Sequence, residues 1–217
     1  MNMKSEADID SPKRAYRQTS RAQATEETAT RILDAFSARI RDDWFDQVTL
    51  EQVARDAGVT VPTIIRRFGN KEGLLSATQQ RMDREILGRR TILPGDIHGA
   101  VRVVIEDYEA VGDLVMRSLA QEDRYAGFKT ITDVGRAGHR EWIEGVFRPW
   151  LDGLDAGARQ ARLDGLVIAT DLYVWKLVRR DMGRTTEHLR ALMLQLIDAI
   201  IGAERRPTDT TGEKPND

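Results

Sequence analysis

The sequence predicts an all-helical chain, with a small N-terminal unit of three helices built on a helix-turn-helix and a larger helical bundle after it. Apolar residues recur at spacings of three and four rather than two, which is the period of a helix. Glycine and proline punctuate the chain at Gly58, Gly69, Pro94-Gly95 and Gly183, leaving segments of helical length between them. With 217 residues, 41% of them hydrophobic, the chain is long enough to bury a core without disulfides or metal. At roughly 100 to 200 residues per domain it makes one ordinary domain, or a small one fused to a larger one.

Taken in order, residues 1–25 read as a flexible basic arm. Residues 13–25 contain Lys13, Arg14, Arg17 and Arg21 and no acid, which suits either a contact to phosphates and a minor groove or a solvated tail. The first helix covers about residues 26–41, with Ile32, Leu33, Ala35, Phe36 and Ile40 on one face. Thr49-Leu50-Glu51-Gln52 is a capping box that opens a second helix over 49–56. Gly58 stops it, Thr60 caps the third helix, and Pro62 stands in the first turn, where no backbone donor is needed. After Gly69-Asn70 a long helix from Lys71 carries Leu74, Leu75, Thr78, Met82 and Ile86 down one side. These elements form a domain over residues 26–86. Further helices follow over 97–111, 113–121, 127–150, 158–182 and 186–203, in a second domain over 87–203. Residues 204–217 are polar, hold Pro207 and Pro215, and read as a disordered tail.

Composition excludes several classes of function. No cysteine is present, which removes disulfides, thiolate zinc sites, Fe–S clusters and cysteine nucleophiles together. His98, His139 and His188 lack metal-ligand spacing, no phosphate loop or Gly-rich nucleotide fingerprint occurs, and acids such as Asp42-Asp43 fall in expected loops. An enzyme is therefore not expected, nor a metal or other cofactor. No apolar run approaches the roughly 18 residues of a membrane span, and no signal-peptide core precedes the first helix. A soluble, cytoplasmic protein is the expectation. The net charge of −2 hides a mild asymmetry, since residues 13–72 carry 11 bases against 9 acids, and that alone does not require nucleic acid.

The stretch from Thr49 to Phe68 carries the functional information. A helix-turn-helix crosses two helices steeply over a tight turn. Ala54 is small where the second helix crosses, Gly58 can take the positive φ of the turn, and Val59 is apolar for its buried inner side. Val53, Ala57, Ile64 and Phe68 complete the small core. The same spacing also suits a helical hairpin inside a bundle. With those positions assigned, the outward face of the second of these helices is Thr60, Val61, Pro62, Thr63, Arg66 and Arg67. Two arginines and two hydroxyls suit base edges and phosphates, with Val61 and Pro62 placed for thymine methyls. Lys71 and the amides opening the next helix make a positive pole for phosphate.

Residues 30–75 resemble the DNA-binding domain of the TetR family of bacterial regulators. The resemblance rests on Ile32-Leu33-Asp34-Ala35-Phe36, on Thr49 with Val53-Ala54, on Ala57-Gly58-Val59-Thr60, on Thr63-Ile64 with Phe68, and on Lys71-Glu72 with Leu74-Leu75. The chain departs from the family at Ile65, where tyrosine is usual, and at Arg67, where histidine or tyrosine is. Ile65 cannot donate to a phosphate, and Arg67 can replace that contact with a charge-assisted one. The resemblance implies operator contacts by Thr60, Val61, Pro62, Thr63, Arg66, Arg67 and Lys71, with Thr49 on a phosphate.

It also implies a homodimer on an inverted-repeat operator, paired through its last two long helices. Leu163, Val167 and Val174 on one, and Leu189, Leu192, Leu196, Ile197 and Ile200 on the other, are the expected interface. A small molecule held among the middle helices would release a repressor from DNA by moving the fourth helix. Polar or aromatic residues interrupting apolar stripes there, Asp107, Tyr108, His139, Trp142 and Asp171, are candidates for holding it. Each also suits a plain structural role, Asp171 as an intersubunit salt bridge. A DNA-bound helical adaptor, or a regulator with no inducer, is the alternative, and the sign of regulation is open.

Overall fold

The computed structural model describes residues 12–202, all helix and connecting turns, with no strand among them. The expected tail and the first eleven residues of the arm lie outside the described residues. The chain divides into two compact units, Met1–Arg81 and Met82–Asp217.

In the first unit, α1 (Pro12–Asp42) packs on α2 (Leu50–Ala57), and α2 on α3 (Val61–Phe68), with the first part of α4 (Lys71–Arg89) completing it. The core is Ile32, Phe36, Ile40, Val48, Val53, Ile64 and Leu74. Helix α1 begins at Pro12, so residues 12–25 are helical rather than a flexible arm. Between Pro12 and Asp42 there is no further proline or glycine, and alanine, arginine, glutamine and glutamate are good helix formers.

The second unit contains the rest of α4 with α5 (Ile97–Leu119), α6 (Ala126–Val146), α7 (Arg148–Leu151), α8 (Ala156–Ala169), α9 (Leu172–Trp175), a π-helical segment Lys176–Asp181 and α10 (Thr186–Gly202). Helix α5 is continuous where a break at Gly112 was expected. Gly112 is instead a close-packing point, because a Cβ there would lie 2.6 Å from the Trp175 ring. The expected helix over 127–150 stops at Val146, and Pro149, which has no N–H to give, starts the short α7. The expected helix over 158–182 is broken at Thr170-Asp171. There Asp171 takes extended backbone and its carboxylate accepts from the Tyr173 N–H, which caps α9.

Helix α10 packs on α8 and α5, so its apolar stripe is spent largely within the chain. This corrects three of the expected interface residues: Leu163, Leu189 and Ile197 are 2%, 0% and 0% exposed within a single chain. A side chain already enclosed by its own chain has no surface left for a partner. Val167, Val174, Leu192 and Ile200 are half-buried, and Leu196 and Ile168 are exposed.

Candidate nucleic-acid interface

The helix-turn-helix is assembled from local interactions. Thr49 accepts from the Gln52 N–H while the Gln52 side chain accepts from the Thr49 N–H, completing the capping box. Gly58 closes α2 in the left-handed region at φ 63°, a conformation that costs a side-chain-bearing residue. The following Val59 N–H then donates to the Ala54 carbonyl. Val53, Ala54, Ala57 and Ile64 are buried between the two helices. Two arginines of α1 hold α2 in place: Arg31 donates to the Ala57 carbonyl at 3.3 Å, and Arg39 to Asp56 at 2.6 Å. The Arg39 hydrogen bond holds the Asp56 carboxyl below its usual range.

Pro62, Ile65, Arg66 and Arg67 are exposed on α3, with Val61 and Thr63 half-buried beside them. Thr60 occupies the N-cap position but makes no side-chain cap; its hydroxyl pairs with that of Thr63 at 3.0 Å. The two hydroxyls can still turn outward to an acceptor. Arg66 forms no ion pair among the described residues, so its whole guanidinium is available to a base edge or a phosphate. Arg67 is engaged, donating to Glu26 of α1 at 3.0 Å.

Two of the expected phosphate contacts have other work. Lys71 donates to the Phe45 and Val48 carbonyls at 2.6 and 2.9 Å and lies 4.4 Å from the centre of the Phe45 ring. It ties the start of α4 to the turn before α2, leaving at most one ammonium proton to offer. The Thr49 hydroxyl oxygen accepts within its own cap, and only its proton remains for a phosphate. At the start of α4, Asn70 already accepts from the Gly73 N–H.

In the second unit, four of the five residues expected near a small molecule converge. The Asp107 carboxylate, 1% exposed, accepts from Arg89 at 2.6 Å and from Arg90 at 2.8 Å. Tyr108 donates to the Thr170 carbonyl at 3.0 Å, and burial pushes its phenol well above the ordinary range. The Thr170 hydroxyl donates to the Leu166 carbonyl and so can only accept from His139 Nε2 at 3.1 Å. That assigns the Nε2–H tautomer and turns His139 Nδ1 toward the Arg90 guanidinium, 3.5 Å away. Burial, and next the Arg90 charge, lower the His139 pKa to about 3, so the ring is neutral. Trp142 donates to the Arg90 carbonyl at 2.9 Å and stacks beneath its guanidinium. Asp171 stands apart as the α9 cap, its carboxyl pushed up by burial.

Sequence reasoning missed Glu26, Arg89, Arg90 and Thr170. The adjacent arginines closing α4 before Pro94-Gly95 were the available signal for two of them; nothing local marks Glu26 or Thr170. Among the described residues no group of His, Asp and Glu could hold a metal ion, and no helix is long and apolar enough to cross a membrane.

Residues 32–78 match the family model described as bacterial regulatory proteins, tetR family. No curated protein matches the chain. Among solved structures, a transcriptional regulator from Rhodococcus sp. Rha1 superposes with a TM-score of 0.63 at 15% identity, over 82% of this chain and 99% of that one. A tetR-family transcriptional regulator from Streptomyces coelicolor gives 0.60 at 17%, over 84% and 83%. The fatty acid degradation regulator FadR from Bacillus halodurans gives 0.53 at 21%, over 83% and 97%. At these identities the likeness speaks to the fold, which extends through both units.

Proposed function

From the premise that its N-terminal domain makes this chain a DNA-binding transcriptional regulator of the TetR family, we propose that it acts as a homodimeric repressor released from an inverted-repeat operator by a small molecule. The observation that carries the reading is α3, an eight-residue helix with Arg66 exposed and in no ion pair among the described residues, and Thr60 and Thr63 at its start. Arg66 reads a base edge, and Val61 and Pro62 lie against the groove floor. Arg67 takes a phosphate, and Lys71 holds the frame that aims them.

Dimerisation uses the face of α8 and α10 that the chain leaves uncovered. Ile168 is 65% exposed and Leu196 38%. Val167, Leu192 and Ile200 flank them, and apolar surface of this kind gains by pairing. Two recognition helices then meet successive major grooves about one turn apart, or a multiple of it. The network around Asp107 ties the end of α4 to α5, which makes it the place where a bound molecule would act on α4.

A second reading, a regulator without an inducer at that place, is favoured by one observation. Asp107, Tyr108 and His139 are buried and direct their hydrogen bonds to protein partners rather than outward.

Selection of bound fragments from a random DNA pool at about 0.15 M salt tests the proposal. An enriched inverted repeat is the expected result, and a folded protein that enriches nothing overturns it. Sedimentation of Ile168→Arg and Leu196→Arg should give monomers; an intact dimer overturns the interface.

A further inference from the structure

Resting on the DNA-binding reading, we propose that the Glu26 carboxylate competes with DNA for Arg67, so that this arginine reaches a phosphate only by giving up Glu26. The two residues are 41 positions apart and join α1 to the last turn of α3. Of two adjacent arginines on one short helix, Arg66 has no ion pair among the described residues while Arg67 is held sideways against α1. The hold is a single N–H to one carboxylate oxygen, with side-chain exposures of 29% for Arg67 and 78% for Glu26.

Magnitudes decide between a permanent tie and an exchange. An exposed pair of this kind is worth about 0–1 kcal/mol. A guanidinium on a phosphate can make two parallel charge-assisted bonds and displaces a condensed counterion. Capture by Arg67 therefore returns a carboxylate to water as it neutralises a phosphate. One small cation is released from the DNA and one is drawn toward Glu26, so the contact adds almost nothing to the salt dependence of binding. Without Glu26, the same contact would carry the full release of about 0.9 of an ion.

The test is the full-length wild type, Glu26→Gln, Arg67→Ala and the double variant, titrated against an unrelated duplex and against the selected repeat over a range of salt. Glu26→Gln should steepen the log–log salt slope by about one per recognition helix and tighten binding near 0.15 M salt by about fivefold per helix. On the Arg67→Ala background the Glu26→Gln change should do nothing. Parallel salt lines for wild type and Glu26→Gln overturn the exchange, and weaker binding by Glu26→Gln overturns it in favour of Glu26 aiming Arg67 at the phosphate. A Glu26→Gln effect that persists without Arg67 also overturns it, by making the carboxylate a general repulsion. Absence of DNA binding by every variant, wild type included, overturns the DNA reading itself, whereas binding with parallel lines leaves that reading standing.

Discussion

Asp107→Asn tests a carboxylate of the second unit that is completely buried. In the wild type its two oxygens take Arg89 at 2.6 Å and Arg90 at 2.8 Å, and the partners are 37% and 10% exposed. Removing one member of a buried ion pair costs about 3–5 kcal/mol, because the remaining charge is left uncompensated. The Arg89 share is discounted, since over a third of that side chain is in water and an exposed pair contributes little. The Arg90 share is not, because its guanidinium lies between Asp107, His139 and the Trp142 ring. About 3 kcal/mol is the expected loss. At roughly 2–8 °C per kcal/mol for domains of this size, that lowers the thermal midpoint by about 10 °C. Urea unfolding followed by tryptophan fluorescence, alongside thermal unfolding by circular dichroism, reads it. Arg89→Ala in the same assay should cost less than about 1 kcal/mol. If Asp107→Asn stays within about 1 kcal/mol of wild type, the buried triad does not hold α4 to α5.

The neutral, buried His139 predicts acid sensitivity. Its folded pKa of about 3 lies below the unfolded value of 6.5, so the unfolded state binds the proton first and stability falls as pH drops below about 6.5. Between pH 7.5 and 5 this amounts to about 2 kcal/mol, and His139→Gln should lose that slope; equal slopes in the two proteins would place the sensitivity elsewhere. Lys71→Ala should lower the unfolding free energy by about 1–3 kcal/mol through the lost Phe45 and Val48 contacts and leave the salt slope of DNA binding unchanged. A flatter slope with unaltered stability would return Lys71 to the phosphates. Gly112→Ala should destabilise by about 1–3 kcal/mol by pressing a methyl onto Trp175, and Trp175→Phe should restore part of it; a neutral Gly112→Ala would show that the α5–α9 approach is looser than it stands.

Local chemistry wrote the N-terminal unit. The capping box at Thr49, the positive-φ stop at Gly58, Pro62 in the first turn and the buried Val53, Ala57 and Ile64 each follow from residues within a few positions of one another. Such interactions need no distant partner, so a linear reading finds them. The all-helical class and the family resemblance come from the same short-range signals. Thr170 and Asp171 lie in a run whose composition continues a helix, yet the chain breaks there. What stops it is an Asp171 cap with Thr170 drawn toward Leu166, Tyr108 and His139, groups up to 62 positions away. Gly112 reads as a breaker until Trp175 is laid against it.

The sequence by itself determined that this chain is helical, carries a helix-turn-helix and presents arginines on its third helix. Tertiary structure alone decided that Arg67 is the paired one of those arginines, since a salt bridge between positions 26 and 67 leaves no periodic trace. It also decided that Lys71 serves the frame, and that Leu163, Leu189 and Ile197 belong to the chain's own core. An amphipathic stripe states that a face must be buried; only the packing of one helix on another states against what.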